Sequence, residues 1–198
     1  DLEQLPDAEL PARRLRGRPD QLRSHVAGGA LYVADYGYNR VLVYKNPLRM
    51  GATADLVLGQ PTLASITANT QGQSAKSLFN PFYVYVNNNK LFVSDRGNNR
   101  VLLWNSIPGV NFQPADVIIG QTDFSTSYTR NDRTRVSFPR GILVHNGRLY
   151  ISSGQQNRVM YWSSVPTSNG ARADGVLGQP DFLSALPNNI DLPWIDRL

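Results

Sequence analysis

Leu31-Tyr-Val-Ala-Asp35-Tyr-Gly-Tyr-Asn39-Arg40-Val-Leu-Val-Tyr44 is the stretch of sequence that decides the fold, because the chain contains it three times. It returns as Leu91-Phe-Val-Ser-Asp95-Arg-Gly-Asn-Asn99-Arg100-Val-Leu-Leu-Trp104 and as Leu149-Tyr-Ile-Ser-Ser153-Gly-Gln-Gln-Asn157-Arg158-Val-Met-Tyr-Trp162. The arginine of the phrase recurs after 60 and then after 58 residues. One unit of this length cannot bury its own apolar faces, so the repeat indicates units that stack on their neighbours.

Each unit contains four short apolar stretches separated by turn residues. In the second unit these stretches, named a, b, c and d, are residues 82–86, 91–95, 100–104 and 116–119. They are rich in Val, Ile, Leu, Tyr and Phe and have the length of β-strands. Strands b and c are apolar at neighbouring positions, so both faces of the sheet are expected to be covered. The pattern predicts an all-β chain: a β-propeller with three complete blades, each a four-stranded antiparallel sheet.

The phrase Leu-Tyr-Val-Ala-Asp-x-Gly-x-Asn-Arg-Val, with a proline at the start of strand a, resembles the NHL repeat. The resemblance covers roughly residues 20–182 and is carried by the first two copies. It implies a β-propeller, usually of six four-stranded blades, and the Val-Leu-Gly-Gln-Pro phrase is similar to NHL repeats of bacterial exported proteins. In the third copy Ser153 replaces the acid and Gly154 stands one position early. The turn between strands b and c is therefore expected to differ there in detail.

The polar residues of the phrase recur from unit to unit, which favours a structural role. Asp95, at the end of strand b, is expected to accept hydrogen bonds from backbone N–H groups of the following turn. Gly37 and Gly97 are expected to supply a positive φ in that turn. The arginine that begins strand c offers a planar fork to the acid or to a neighbouring blade's carbonyls. The alternative is a ring of metal or substrate ligands, but a site normally requires differences between blades. The predicted structural residues are Asp35, Asn39, Arg40, Asp95, Asn99, Arg100, Asn157 and Arg158.

The predicted blades span residues about 22–61, 79–122 and 138–180 of a single propeller segment. Residues 13–20 resemble strand d and residues 192–198 resemble strand a. Three blades cannot close a ring, and unpaired end blades would leave apolar faces and sheet edges exposed. Three explanations stay open: the segment is part of a larger protein, two chains join into a ring of six blades, or another subunit covers an open arc.

One face of the propeller is the predicted binding surface. The d–a loops (62–78 and 123–137) emerge on the same face as the b–c turns, and long loops on a rigid scaffold commonly carry binding sites. Tyr and Arg are frequent at recognition hot spots. The candidate binding residues are Tyr36, Tyr38, Arg96, Tyr128, Arg130, Arg140 and Gln155. We expect a non-enzymatic scaffold that recognises a protein or glycan partner and that self-associates or continues into further blades.

Groups for catalysis are few in this sequence. There is no cysteine, and the two histidines, His25 in strand a and His145 in an a–b turn, stand in no zinc-binding or triad motif. No catalytic residue, metal site or cofactor is predicted. The alternative is a propeller lyase or hydrolase whose site is completed by missing blades.

A second alternative is RNA binding by a basic face, as in some eukaryotic proteins with NHL repeats. Basic residues cluster near the start of the chain, at Arg13, Arg14, Arg16, Arg18 and Arg23. The net charge of +5 is modest and no RNA-binding motif accompanies the cluster, so a charged edge strand is favoured and no nucleic-acid partner is predicted. No apolar run approaches the ~20 residues that span a membrane. The content of Asn, Ser, Thr, Gly and Tyr favours an exported protein, in the periplasm, at the cell surface or outside the cell.

Overall fold

The computed structural model describes residues 22–47 and 50–187 and places twelve β-strands there in three sheets. The first sheet contains β1 (Leu22–Ala27), β2 (Ala30–Asp35), β3 (Arg40–Tyr44) and β4 (Leu56–Leu58). The second contains β5 (Pro81–Asn87), β6 (Lys90–Asp95), β7 (Arg100–Trp104) and β8 (Val117–Ile119). The third contains β9 (Pro139–His145), β10 (Arg148–Ser153), β11 (Arg158–Trp162) and β12 (Gly175–Leu177).

Each sheet is an antiparallel meander whose strands lie side by side in chain order. Helix is minor in the described residues, which contain 3-10 turns at Tyr36–Tyr38, Arg96–Asn98 and Gly154–Gln156. The predicted all-β class and the predicted four-stranded antiparallel sheets are therefore confirmed. The predicted strand segments 13–20 and 192–198 lie outside the described residues. No helix in the described ranges is long and apolar enough to span a membrane.

The hairpin turns within each sheet follow from their residue types. The residues that join the first two strands have positive φ at both central positions: Gly28 and Gly29 in the first sheet, Asn88 and Asn89 in the second, and Asn146 and Gly147 in the third. Two consecutive residues with positive φ form the type I′ turn, whose twist matches that of the strands it joins. Glycine and asparagine tolerate this conformation best, so these turns set the register of the sheets.

Neighbouring sheets pack face to face through two apolar layers. We call the side of the first sheet that carries Tyr32, Val41 and Leu58 its front face, and the opposite side its back face. The corresponding front faces carry Phe92, Val101 and Ile119 in the second sheet and Tyr150, Val159 and Leu177 in the third. The front face of the first sheet is buried against the back face of the second. The front face of the second is buried in the same way against the back face of the third.

The turn after the second strand of each sheet differs from the prediction. The positive φ lies at Asn39, Asn99 and Asn157, at 54°, 53° and 49°, and not at Gly37 or Gly97. Asparagine tolerates the left-handed region because its short polar side chain forms local hydrogen bonds. Gly97 is needed for another reason, since a Cβ there would lie 2.6 Å from the carbonyl oxygen of Phe79.

The third turn keeps the shape of the other two in spite of its different sequence. It is again a 3-10 turn followed by a left-handed asparagine. The first two turns have a hydrogen bond from the asparagine N–H to the carbonyl of the first turn residue, at 3.5 Å in the first and 3.2 Å in the second. No such bond closes the third turn among the described residues. The expected difference in detail therefore includes this bond and a further one, since the N–H of Gly154 donates to the carbonyl of Phe138 at 3.2 Å.

Candidate functional site

The starts of β1, β5 and β9 and the three 3-10 turns lie at one end of the sheets, which we call the turn end. In an antiparallel pair the start of one strand lies beside the end of the next, and Pro81 at the start of β5 accordingly pairs with Asp95 at the end of β6. Contacts between β1 and β5, and between β5 and β9, bring the first strands of neighbouring sheets together. Residues of the three repeat units can therefore meet at this end.

A buried ion pair holds the turn end of the second sheet. The Nε of Arg100 donates to Asp95 Oδ2 at 2.7 Å, and both side chains are fully buried. Nη1 of Arg100 donates to the carbonyl of Phe124 at 2.6 Å. Its Nη2 donates to the carbonyls of Ser74 and Ser77, both at 2.9 Å. The arginine therefore ties β7 to both long loops that flank the sheet.

Asp95 binds a different backbone group from the one predicted. Its Oδ1 accepts from the N–H of Phe79, at 2.8 Å, in the segment that leads into β5, and not from the N–H groups of the following turn. Its Oδ2 also accepts from Asn98 Nδ2 at 2.7 Å. Burial raises the pKa of Asp95, while the charge of Arg100 and these hydrogen bonds act in the opposite direction.

The corresponding ion pair of the first sheet is less buried. Arg40 Nε donates to Asp35 Oδ2 at 2.7 Å, and its Nη1 donates to the carbonyl of Leu63. The guanidinium also lies 5.2 Å from the ring centroid of Tyr38, so this tyrosine, predicted to bind a partner, contacts the structural arginine of its own unit. Burial raises the pKa of Asp35 too.

The third sheet lacks the acid, and its arginine is incompletely satisfied. Arg158 donates through Nη1 and Nη2 to the carbonyls of Phe182 and Asp132, at 2.5 and 3.0 Å. Its Nε is buried without a hydrogen-bond partner among the described residues. Burial lowers the pKa of Arg158, because a desolvated cation is disfavoured. Ser153, in the place of Asp95, is too short to reach it and binds Gln156 Oε1 instead, at 2.6 Å.

We therefore expect Ser153→Asp to stabilise the protein by about 1 kcal/mol, because a carboxylate gives the Nε of Arg158 a charged acceptor. Urea unfolding followed by tryptophan fluorescence measures the difference. Ser164→Asp is the matched control, since it introduces the same charge at an exposed serine of the same unit. A loss of stability in Ser153→Asp that exceeds the effect of the control would contradict this expectation.

The repeated asparagines connect each turn to the next sheet. Asn39 Oδ1 accepts from the N–H of Asn80 at 2.9 Å, and Asn99 Oδ1 accepts from the N–H of Phe138 at 3.0 Å. These two donors lie immediately before β5 and β9. Asn157, in the third turn, donates through Nδ2 to the carbonyl of Ala185 at 2.9 Å. Asn39 and Asn99 thus set the positions of the second and third sheets, each relative to the sheet before it.

A repeated glutamine, whose role the sequence did not reveal, fastens the long loops. The Nε2 of Gln60 donates to the carbonyls of Asn39 and Thr67, at 3.0 and 2.8 Å. Gln121 and Gln179 repeat the arrangement in the second and third units. All three side chains are buried. Each glutamine therefore joins a 3-10 turn to the loop that follows its sheet, which makes the loops part of the rigid frame.

Three arginines converge on one aromatic ring at the turn end. The Cζ atoms of Arg23, Arg96 and Arg140 lie 4.2, 5.8 and 5.8 Å from the ring centroid of Phe82. Arg23 comes from β1, Phe82 from β5 and Arg140 from β9, and Arg96 is in the turn after β6. We call Arg23, Arg96 and Arg140 the arginine cluster. It is assembled from all three units of the repeat.

Arg96 is the most constrained member of the cluster. Its Cζ lies 4.6 Å from the ring centroid of Phe138, and its Nη1 donates to the hydroxyl of Tyr36 at 2.9 Å. Tyr36 in turn packs edge-on against Phe82, with centroids 6.4 Å apart. Cation–π contacts of this kind are each worth about 0.5–1 kcal/mol at exposed sites, so the aromatic side chains hold the cations in place.

The cluster carries positive charge that no acid compensates within residues 22–47 and 50–187. The two ion pairs found there, Asp35–Arg40 and Asp95–Arg100, do not include any of its members. The Nε of Arg96 is buried without a hydrogen-bond partner in the same ranges. Arg23 and Arg140 are exposed. An anionic group that reached this position would meet three guanidinium groups that are already oriented.

The structure brings together only part of the predicted binding set. Tyr36, Arg96 and Arg140 meet at the cluster, and Gln155 lies beside it, where its Oε1 accepts from the hydroxyl of Ser137 at 2.6 Å. The predicted set omits Arg23, Phe82 and Phe138. The sequence pattern places Arg23 on a charged edge strand, and the two phenylalanines look like ordinary apolar positions of strand a. The sequence contained one signal for these three residues, because each lies at or next to the start of a first strand and therefore beside a b–c turn.

The other predicted binding residues lie in the loop 123–137. Tyr128 is exposed, and its backbone N–H and carbonyl are both held by Gln121. Arg130 is also exposed, and its carbonyl accepts from Gln156 Nε2 at 2.8 Å. In the described part of the chain, no hydrogen bond or cation–π contact links either side chain to the arginine cluster.

The two histidines have different surroundings. His25 packs edge-on against Tyr85, with ring centroids 5.1 Å apart, between the first and second sheets. His145 is exposed at the end of β9. Among the residues that the structure describes, no group of three or more His, Asp or Glu side chains is arranged to hold a metal ion.

Comparison with known proteins adds no family to this description. No protein-family model matches the chain, and no curated protein matches it.

Proposed function

We propose that this chain is a non-enzymatic binding scaffold, a segment of an NHL-type β-propeller whose turn end recognises the acidic side chains of a protein partner. The arginine cluster carries this proposal. The proposal includes export from the cell, which rests on the composition of the chain alone.

The arrangement of the sheets supports the propeller part of the proposal. Three antiparallel meanders pack face to face, and the first strand of each contacts the first strand of the next. This is the arrangement of neighbouring propeller blades around an axis. The repeated Asp-x-x-x-Asn-Arg residues hold single blades, and the asparagines connect one blade to the next. The turn end is then the propeller face to which the d–a loops and b–c turns contribute.

The charge of the cluster supports an acidic ligand. Three like charges around one ring repel each other, and a carboxylate placed between them removes the repulsion and accepts charge-assisted hydrogen bonds. The guanidinium groups are oriented before binding by Phe82, Phe138 and Tyr36, which lowers the entropic cost of forming those bonds. Arginine is also among the residues most often found at protein–protein hot spots.

The covered aromatic rings favour a protein over a glycan. A sugar is commonly bound by stacking on a bare aromatic face, whereas Phe82 has the guanidinium of Arg23 over its ring at 4.2 Å. Phe138 has that of Arg96 at 4.6 Å. The groups presented to a ligand at the cluster are therefore guanidinium N–H donors. Their planar fork matches the two oxygens of an Asp or Glu side chain.

A ten-residue oligoglutamate peptide labelled with a fluorophore is a direct probe of this proposal. We expect Arg140→Ala to weaken its binding about tenfold, which corresponds to about 1.4 kcal/mol, because the variant removes one of the three converging cations. Fluorescence anisotropy titrations at two salt concentrations measure the change. Arg140 is exposed, so the variant leaves the buried contacts of the fold intact.

Arg148→Ala is the matched control, since Arg148 is an exposed arginine at the opposite end of the third sheet. It removes the same charge and should change the affinity by less than about twofold, as expected for a cation outside the contact. Equal weakening in both variants would show that the peptide responds only to net charge. Tighter binding of a heparin oligosaccharide or of single-stranded RNA of matched charge would overturn the assignment of a protein partner.

A further inference from the structure

Two sheet faces lack the packing partner that the repeat provides elsewhere. The front face of the third sheet and the back face of the first are not covered by another sheet in residues 22–47 and 50–187. Leu177 of the third front face is 52% exposed, whereas Ile119, at the same position of the second sheet, is fully buried. Leu143, on the same front face, is 51% exposed.

These two faces have the composition of the faces that pack within the chain. The third front face carries Tyr150, Tyr161, Val159 and Leu177 where the buried second front face carries Phe92, Leu103, Val101 and Ile119. The first back face carries Leu31, Val33, Leu42 and Tyr44 where the buried second back face carries Leu91, Val93, Leu102 and Trp104. The apolar character is thus kept position by position, although both faces lie at the ends of the stack.

A loop contact accompanies each packed pair of sheets. In the edge strand β4, the N–H of Val57 donates to Asn111 Oδ1 at 3.0 Å. The carbonyl of the same residue accepts from the N–H of Phe112 at 2.9 Å. In the next pair, the N–H of Ile118 donates to Asn169 Oδ1 at 3.0 Å, and its carbonyl accepts from the N–H of Gly170 at 3.3 Å. The c–d loop of one sheet therefore covers the edge strand of the sheet before it.

The first sheet has a c–d loop of the same kind, with Met50 in the place of Asn111 and Asn169, but no edge strand before it in the described chain. Gly51 stands four residues before Asp55, as Phe112 and Gly170 stand four residues before Asp116 and Asp174. The three acids are equivalent, since each accepts from the backbone N–H that follows the third strand of its sheet. The φ angles at Gly51, Phe112 and Gly170 are 71°, 55° and 67°. Gly51 therefore has the backbone conformation of the two residues whose N–H groups reach an edge strand.

We propose that a second copy of this chain supplies the missing partner head to tail. The back face of its first sheet packs on the front face of the third sheet, and its Gly51 N–H approaches the carbonyl of Val176 in the edge strand β12. A second copy fits because the chain itself carries the two apolar faces and the backbone N–H of a contact that it already makes twice. Two such contacts related by a twofold axis close two copies into a ring of six sheets, and no free face remains. The proposal is independent of the arginine cluster.

Analytical ultracentrifugation of the full 198-residue chain tests this arrangement. The wild-type chain is expected at twice its mass of 22.0 kDa. Leu42→Lys places a charge on the back face, and Leu177→Lys places one on the front face. Each variant alone is expected to dissociate at least about tenfold more readily, because a charge in an apolar contact must be desolvated without a partner.

Mixing the two variants distinguishes head-to-tail packing from other modes of association. The Leu42→Lys chain keeps an intact front face and the Leu177→Lys chain keeps an intact back face. An equimolar mixture is therefore expected to recover a two-chain species held by that one intact contact, while the second contact, which carries both lysines, stays open. An unfolded variant could not take part in this recovery, which makes the mixture its own folding control. Val110→Lys, at a residue that is 62% exposed on the c–d loop of the second sheet, should leave the mass unchanged.

A monomeric wild-type chain would overturn the proposal. A dimer that Val110→Lys weakens as much as the two face variants would also overturn it. So would a dimer that only one of the two face variants weakens, because the contact would then join two like faces rather than unlike ones.

Discussion

Asp95→Ala is expected to lower the free energy of unfolding by about 3–5 kcal/mol, because it leaves the guanidinium of Arg100 buried without its counter-charge. Both side chains are fully buried, and Asp95 also accepts from the N–H of Phe79 and from Asn98. The substitution therefore removes three acceptor contacts together. A loss of this size is a large part of the roughly 5–15 kcal/mol that stabilises a typical domain. Urea unfolding monitored by tryptophan fluorescence and by circular dichroism measures it.

Asp35→Ala is the matched comparison within the same chain. It removes the acid from the same position of the first sheet, but the side chain of Arg40 is 15% exposed and that of Asp35 is 7% exposed. Solvent can therefore take over part of the role of the carboxylate, and the loss should be smaller. Equal losses in the two variants would mean that burial does not set the value of this ion pair.

Gly120→Ala is expected to destabilise the protein by about 3 kcal/mol or more, since two costs combine at this position. Gly120 has a φ of 87°, in which an L-residue is strained by about 1–3 kcal/mol. A Cβ there would also lie 2.2 Å from Cγ2 of Val136, a fully buried side chain between the second and third sheets. Overpacking of this kind typically costs about 1–3 kcal/mol more. Thermal and urea unfolding report the sum.

Gly178→Ala separates the two costs. Gly178 has the same φ of 87°, but a Cβ added there would come no closer than 3.3 Å to another residue, at the carbonyl oxygen of Asn157. This variant should therefore show mainly the backbone strain, about 1–3 kcal/mol, with a small shift of the carbonyl of Asn157. If Gly178→Ala costs as much as Gly120→Ala, the contact with Val136 contributes nothing and the explanation is wrong.

The local features of the repeat could be predicted from the sequence because they depend on neighbouring residues. Alternating apolar stretches and Gly or Asn turns define the strands and hairpins, and the predicted strand d (116–119) differs from β8 (Val117–Ile119) by one residue. The prediction was wrong where two residues of one turn could both adopt the positive φ. Gly97 and Asn99 can both adopt positive φ, and the structure has it at Asn99, whose Oδ1 accepts from the N–H of Phe138 in a contact between distant segments.

The burial of the sheet faces could also be predicted only in part from the sequence. Apolar residues at neighbouring positions predicted that both faces of every sheet are covered, and this holds for the second sheet, where β6 and β7 are buried on both sides apart from Lys90. In the first and third sheets, β3 and β11 alternate between buried and half-buried positions. The sequence pattern records that a face is apolar, but it does not record which surface covers it.

By itself, the sequence determined the all-β class, the order of the strands within each sheet and the recurrence of Asp, Asn and Arg at the turns, since these depend on periodicity and on turn chemistry over a few residues. Only the tertiary structure decided that Arg23, Arg96 and Arg140 surround Phe82, and that Asp95 binds the N–H of Phe79. These residues come from different strands, turns and repeat units. Their meeting depends on how the sheets stack, a long-range arrangement that no local pattern contains.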